Sequence, residues 1–182
     1  MQQDEFRMVS GLNVRVTPLD GERIPIIVSD GKVGVLVVLK SASRSVLASA
    51  KLKLRAGEDM LPAEVHVFVR DPIERLRSAY QFFNHRPPIE GSRATTFTWE
   101  EFIDNVLNGS KNIHWRPVSE LVARAGIDPV LHLFENIGKE YPLGPLQHKN
   151  TSATIDVDMS YRKSELQSLY ADDYAMRAKA GT

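Results

Sequence analysis

The clearest hydrophobic pattern in the chain is a short apolar run that passes directly into a helical repeat. Residues 64–69, EVHVFV, are mostly β-branched or aromatic, and the run is too short for a helix and too apolar for an exposed loop. It predicts a buried strand that ends at Arg70. Asp71 can cap the helix that follows, Pro72 suits its first position, and apolar residues recur at helical spacing at Ile73, Leu76, Ala79 and Tyr80. The chain therefore turns at the carboxyl end of a core strand, where open α/β sheets bind ligands.

A second strand-to-helix passage is predicted earlier in the chain. Residues 26–28 are β-branched, residues 29–32 give a turn signal, and residues 33–39 form another apolar run, so an N-terminal β-hairpin leads into a central strand. Small and hydroxylated residues follow Lys40, and the next apolar positions indicate a helix: Val46, Leu47, Ala50, Leu52 and Leu54. Only a short loop, residues 54–63, then separates this helix from the strand that ends at Arg70.

The second half of the chain continues the alternation of helices and strands. The pattern predicts a helix that opens with a Thr98–Glu101 capping box and ends at Asn108 and Gly109, a helix over 118–125 stopped by Gly126, a strand over 130–134, a helix opening at Glu135, and an amphipathic helix from Ser160. We therefore expect residues 1–182 to form a single three-layer α/β domain, with a short parallel sheet and flanking helices.

Composition narrows the choice of partners. The chain has 182 residues and a net charge of zero, with 23 basic and 23 acidic residues, so nothing favours nucleic acid as a partner and any anion site must be local. Cysteine is absent, and the five histidines are scattered, so no metal-ligand cluster is predicted. The first ten residues lack the pattern of a secretory signal, and no apolar run approaches ~20 residues. We expect a soluble, cytoplasmic protein without membrane insertion.

The junction at Arg70 carries residues suited to an anion. Arg70, at the strand end, carries a planar guanidinium whose N–H donors suit a phosphate. Arg75 and Ser78 are three residues apart, which makes them neighbours on one helix face. The same spacing is equally compatible with ion pairs of Arg70 or Arg75 with Asp71 or Glu74. Both interpretations remain open from spacing alone.

The loop at Lys40 has the composition of a phosphate loop. Small residues let backbone N–H groups approach a phosphate, the helix start adds favourable potential, and Lys40 supplies a mobile charge. The stretch 34–41 differs from a nucleoside-triphosphate P-loop because Leu39 stands where its second glycine belongs. Considered alone, the loop is better explained as an ordinary helix start with a solvated lysine.

Together the two junctions resemble those of the carbohydrate sulfotransferases. Residues 67–80, an apolar strand followed by Arg-Asp-Pro, Arg and Ser-Ala-Tyr, are similar to that family's 3′-phosphate motif, and the Lys40 loop is similar to its 5′-phosphosulfate loop. The loop departs from the family pattern at Leu39, Ala42, Ser43 and Arg44. The resemblance implies a P-loop-like sulfotransferase fold that binds 3′-phosphoadenosine 5′-phosphosulfate (PAPS) without a metal. The implied cofactor contacts are Lys40, Ser43, Arg44, Ser45, Arg70 and Ser78.

The resemblance extends over about residues 25–175. It includes His114-Trp115 with Pro117, Glu135-Asn136, the segment with Asn150 and Ser152, and the closing Tyr-x-x-Asp-Tyr at 170–174. His114 is our candidate general base, since a neutral imidazole suits removal of a hydroxyl proton near pH 7. A histidine beside tryptophan can also be a packed structural residue. The reserve bases are His85, Glu90 and His66, although His66 alternates with valines on the strand and is expected to face a packing layer.

The implied reaction is sulfuryl transfer from PAPS to a hydroxyl of a carbohydrate or glycan-like acceptor. Lys40 would neutralise charge on the bridging oxygen as adenosine 3′,5′-bisphosphate (PAP) leaves. Two alternatives remain open. A nucleotide kinase would need a glycine-bearing P-loop and magnesium-binding carboxylates, whereas a catalytically silent nucleotide-binding module would keep Arg70 and Ser78 without a working base.

Overall fold

The protein is an α/β protein built on a five-stranded mixed sheet. The computed structural model describes residues 6–9, 12–15, 25–49, 51–56, 59–84, 97–109, 112–146 and 155–182. Within these ranges the strands are β1 (Phe6–Val9), β2 (Leu12–Arg15), β3 (Ile26–Ser29), β4 (Val33–Leu36), β5 (Leu52–Arg55), β6 (Glu64–Val69) and β7 (Val130–Leu133). The seven helices of the same ranges are α1 (Ser43–Ser49), α2 (Pro72–Asn84), α3 (Trp99–Leu107), α4 (Val118–Ala125), α5 (Ile137–Glu140), α6 (Lys163–Leu169) and α7 (Ala171–Ala180).

The sheet is mixed, which corrects the prediction of a parallel sheet. Its strand order is β5-β3-β4-β6-β7, and β4, β6 and β7 pair in parallel as expected. The predicted hairpin is present as β3 and β4, and β3 pairs antiparallel with both β4 and β5. A tight turn can join only antiparallel strands, so the turn at residues 30–32 forces β3 to run against the other four. β1 and β2 form a separate antiparallel pair.

The helix predicted across residues 46–54 is too long. It ends at Ser49, and Leu52–Arg55 is the edge strand β5. The sequence Leu-Lys-Leu-Arg alternates with period two, which suits a strand, and the free edge of β3 provides the backbone partners. The segment predicted as a loop, residues 54–63, therefore begins inside β5 and leaves a shorter connection to β6.

The sheet is covered on both faces, as a three-layer arrangement requires. One face packs against α1 and α5 through a cluster that includes Val28, Val35, Phe68, Val46 and Ile137. The other face packs against α4 and α7 through Ile27, Leu36, Val65, Val67, Val69, Val118, Leu121 and Met176. Gly34 lies inside β4, where an added Cβ would come within 2.8 Å of Ile27 Cγ2. This glycine therefore serves sheet packing and belongs to no phosphate loop.

Several predicted helix boundaries are confirmed by their capping contacts. Asp71 Oδ1 accepts hydrogen bonds from the backbone N–H groups of Ile73 and Glu74, both at 3.0 Å, and so caps α2. Thr98 and Glu101 form the predicted capping box of α3. Gly126, in the left-handed region at φ 63°, ends α4. The single C-terminal helix is instead two helices, α6 and α7, that meet at Tyr170.

Candidate functional site

The two predicted phosphate junctions meet at the carboxyl edge of the sheet. Arg70 follows β6, and its Nη1 donates a hydrogen bond of 2.9 Å to the backbone carbonyl of Lys40, which follows β4. β4 and β6 are parallel neighbours, so their carboxyl ends lie side by side. The guanidinium of Arg70 also lies 5.1 Å from the ring centroid of Phe134, which follows β7. The structure thus brings together residues that are 30 positions apart in the sequence.

One face of α2 runs along this edge and connects the other candidates. Glu74, Ser78 and Phe82 are spaced four residues apart, so they form a single stripe on the helix. Lys40 Nζ lies 3.3 Å from the ring centroid of Phe82, and the imidazole of His114 stacks on the same ring with centroids 5.3 Å apart. The two candidate catalytic residues are therefore neighbours across one side chain.

The loop that leads into α1 has an unusual backbone. Lys40 and Ala42 have positive φ angles of 67° and 55°, a conformation that costs a non-glycine residue ~1 kcal/mol or more. Ser41 between them is buried, and its hydroxyl has no hydrogen-bond partner among the described residues. Such backbone and polar groups are typical of loops shaped to bind a ligand.

The first turn of α1 holds the three other predicted contacts of the loop. Ser43 opens the helix, Arg44 is exposed, and Ser45 is buried. All three follow the backbone turn at Ala42 directly in the chain. Their role as phosphosulfate contacts stays a prediction.

Glu74 is the acidic neighbour of this basic site. Its Oε2 lies 3.8 Å from Arg70 Nη2 and also pairs with Arg77. Burial lowers the pKa of Arg70, and the nearby Glu74 partly offsets that effect. The ion-pair interpretation of the Arg70 spacing is confirmed for Glu74, whereas the anion-binding interpretation stays a prediction. A phosphate bound at Arg70 would share the guanidinium with this carboxylate.

His114 is held in a defined orientation by Asn112. Asn112 Oδ1 accepts the backbone N–H of His114 at 3.0 Å and lies 2.7 Å from its Nδ1. A carbonyl oxygen can only accept, so Nδ1 carries the ring proton and Nε2 is the basic nitrogen of the neutral imidazole. Phe82 and Phe83 pack against the ring. His114 is both packed and oriented, so its two predicted roles are compatible.

A buried network supports the segment that carries His114. Arg75 is fully buried and donates from Nη2 to the carbonyl of Arg116 at 2.7 Å, with longer contacts to the two preceding carbonyls. Tyr170 donates to the carbonyl of Trp115, and Asp173 lies 3.7 Å from Arg75. Arg75 is therefore a positioning residue and does not line an anion site, although its spacing from Ser78 allowed that interpretation.

The reserve bases are not part of the site that the structure describes. His66 is buried within the sheet, four residues before Arg70, and its ring contacts His132. His85, Glu90, Asn150 and Ser152 lie outside the described residues. Among the residues that the structure does describe, no group of three or more acidic or histidine side chains is arranged to hold a metal ion.

Sequence reasoning missed three residues of this site. Phe82 lies one helical turn after Ser78, a spacing that places it on the same face. Asn112 stands two residues before His114, the spacing of an Asx turn. Ser41 gave no signal beyond being a small residue in the loop.

No protein-family model, curated protein or solved structure matches this chain. The sulfotransferase resemblance therefore stays a proposal that rests on the motifs and on the arrangement of their residues. The part of the chain that the structure describes contains no helix with the length and apolar character needed to cross a membrane.

Proposed function

We propose that this protein is a PAPS-dependent sulfotransferase that acts on a hydroxyl of a carbohydrate or glycan-like acceptor. The observation that carries the proposal is the contact between Arg70 and the Lys40 carbonyl, because it joins the two motifs that resemble the 3′-phosphate and 5′-phosphosulfate motifs. Two independent phosphate-binding segments at one sheet edge suit a nucleotide with phosphates at both ends of its ribose.

In this proposal each residue has a defined role. Arg70 and Ser78 hold the 3′-phosphate, and the first turn of α1, with Ser43, Arg44 and Ser45, faces the phosphosulfate. The Ser41 hydroxyl donates to a phosphate oxygen, which supplies the partner that it lacks among the described residues.

The chemical step is an in-line displacement at sulfur. The acceptor oxygen forms a bond to sulfur while the bond from sulfur to the bridging oxygen breaks and PAP leaves with its electron pair. Lys40 neutralises the charge that grows on the bridging oxygen. His114 Nε2 takes the proton of the acceptor hydroxyl, and Asn112 holds the ring so that Nε2 is the basic nitrogen. The contacts of Lys40 and His114 with the same Phe82 ring support the assignment of both groups to one reaction centre.

Calorimetry with PAP, AMP and ATP tests the nucleotide assignment. We expect PAP to bind without magnesium and more tightly than AMP, because only PAP carries the 3′-phosphate. Tighter binding of magnesium-ATP would favour the kinase alternative. Transfer from radiolabelled PAPS to a panel of glycans tests catalysis, and PAP binding without transfer would identify a silent nucleotide-binding module.

A further inference from the structure

One side chain of α7 joins the carboxyl ends of β6 and β7. Arg177 Nη1 donates a hydrogen bond of 3.1 Å to the backbone carbonyl of Val69, the last residue of β6. The same guanidinium donates to both carboxylate oxygens of Glu135, at 2.9 and 3.0 Å. Val69 directly precedes Arg70, and Glu135 directly follows Phe134, whose ring centroid lies 5.1 Å from the Arg70 guanidinium. Arg177 therefore connects the two segments that meet at Arg70.

The contact between Arg177 and Glu135 has the geometry of a strong ion pair. Two nitrogens of one guanidinium each donate to a different oxygen of one carboxylate, which is stronger and more directional than a single contact. The hydrogen bonds from Arg177 are the main cause that lowers the pKa of the Glu135 carboxyl, and the same hydrogen bonds raise the pKa of Arg177. Glu135 is therefore ionised near neutral pH and directed at Arg177.

Glu135 is also close enough to Arg70 to compete for its donors. After the hydrogen bonds from Arg177, the charge of Arg70 also helps to lower the pKa of Glu135. Burial lowers the pKa of Arg70, and Glu74 and Glu135 oppose that effect. Among the described residues, however, Arg70 pairs with Glu74 at 3.8 Å, whereas both oxygens of Glu135 accept from Arg177. A second carboxylate thus lies beside Arg70 but is bound to another cation.

We propose that Arg177 is a positioning residue of the nucleotide site, because it binds Glu135 and so keeps the guanidinium of Arg70 available to the 3′-phosphate. This inference rests on the proposed function, in which Arg70 holds that phosphate. Arg70 is the other cation whose charge acts on Glu135, so a Glu135 side chain released by Arg177 would turn to Arg70. A carboxylate and a phosphate bind the same N–H donors, and the new ion pair would therefore weaken phosphate binding.

Calorimetry with a single and a double variant tests this role on the full chain. Arg177→Met should weaken PAP binding by about fivefold to tenfold, the scale of a hydrogen-bonded ion pair at a partly buried arginine, and leave AMP binding unchanged. The double variant Arg177→Met/Glu135→Gln should bind PAP within about twofold of the parent, because the competing carboxylate is gone. A double variant that binds PAP as weakly as Arg177→Met would overturn the proposal, since Arg177 would then only support the strand ends.

Two further variants separate this role from a general effect of charge. Arg177→Lys keeps the positive charge but lacks the planar fork that holds both carboxylate oxygens, so it should still weaken PAP binding, by about twofold to fourfold. This variant also supplies the measurement if Arg177→Met does not fold. Lys179→Met removes an exposed cation of the same helix, is the matched control, and should leave PAP affinity unchanged. Equal losses in Lys179→Met and Arg177→Met would identify a long-range charge effect and overturn the proposal.

NMR of nitrogen-labelled arginine side chains tests the change of ion pair without any nucleotide. The Arg70 guanidinium signals, assigned with Arg70→Ala, should shift in Arg177→Met and return in the double variant, because Glu135 pairs with Arg70 only in the single variant. Unshifted Arg70 signals in Arg177→Met would show that Glu135 does not turn to Arg70. In calorimetry, a parent protein that binds no PAP overturns the nucleotide site and this inference with it, whereas parental PAP affinity in Arg177→Met overturns the inference alone.

Discussion

Among the described residues, the guanidinium of Arg70 contacts three groups of different chemistry. It donates to the carbonyl of Lys40, lies near the carboxylate of Glu74, and stacks over the ring of Phe134. The carbonyl contact fixes its position, and the ring limits its motion. Of these three groups, Glu74 is the one that competes with a bound phosphate, because a carboxylate and a phosphate bind the same N–H donors.

Substitutions at Arg70 and Glu74 should therefore change PAP affinity in opposite directions. Arg70→Ala should weaken PAP binding by ~2 kcal/mol or more and leave AMP binding almost unchanged, since only the 3′-phosphate loses its charged partner. Glu74→Gln should tighten PAP binding roughly twofold to fivefold, the scale of a partly exposed ion pair. Calorimetry measures both effects. Equal losses for PAP and AMP in Arg70→Ala would move Arg70 away from the 3′-phosphate.

His114 is the second residue whose role a single substitution can decide. If His114 is the general base, His114→Ala should lower sulfuryl transfer by about 100-fold or more, with PAP affinity and melting temperature nearly unchanged. The rate of the unmodified protein should rise with pH as the imidazole loses its proton, because only the neutral ring accepts one. A lower melting temperature, with activity falling in proportion to folded protein, would assign a structural role instead.

Asn112→Ala separates orientation from chemistry at the same position. The substitution keeps the imidazole but removes the acceptor that fixes its tautomer. We expect a smaller loss of transfer rate than for His114→Ala and no change in PAP affinity. A parental transfer rate in Asn112→Ala would show that the ring needs no such partner.

Among the elements, α7 has a structural role that is not evident from its mostly exposed residues. Asp173 is buried on this helix, and its carboxylate accepts from the backbone N–H groups of Val118 and Ser119, each at 2.8 Å. It therefore caps α4 from a distant part of the chain. The same carboxylate faces the buried Arg75, so α7, α2 and α4 meet at one ion pair.

Asp173→Ala should be strongly destabilising. It leaves Arg75 buried without its carboxylate and removes the cap of α4, so we expect a loss of ~3 kcal/mol or more in the free energy of unfolding. Asp172→Ala is the matched control, because Asp172 is exposed on the same helix and should change stability by less than about 1 kcal/mol. Urea denaturation of both variants measures the difference, and equal small losses would contradict a structural role for the Arg75–Asp173 pair.

The elements that the sequence predicted well are those whose signals are local. The passage from β6 to α2, the capping box at Thr98 and the stop at Gly126 each depend on residues within four positions of one another. β5 was mistaken for helix because its leucines continue an apolar series that α1 begins. Residues 52–55 form a strand because they pair with the free edge of β3, a partner that the local sequence does not reveal.

For the whole molecule, the buried His66 predicts a stability that depends on pH. Its pKa lies below the 6.5 usual for histidine, mainly because burial disfavours the charged ring. Between these two pKa values the unfolded chain binds more protons at His66 than the folded chain does, so stability falls as pH decreases below about 6.5. Stability that His66 contributes is thus present above this pH and is lost on acidification.

Denaturation of the parent and of His66→Gln over this pH range measures the contribution. The difference in unfolding free energy between the two proteins should shrink as pH falls below about 6.5, because only the parent carries the buried histidine. Parallel stability curves for the two proteins would show that His66 does not contribute to acid sensitivity.

The sequence by itself determined the strands and helices with strong periodicity, the two junctions, and the residues Lys40, Arg70, Ser78 and His114 as candidates. These predictions follow from the spacing of residues that lie within one or two helical turns of each other in the sequence. The tertiary structure decided which candidates meet, since the contact between Arg70 and Lys40 spans 30 positions and the one between His66 and His132 spans 66. Strand order and direction select such pairs, and a local pattern carries no information about which sheet edge a distant segment will join.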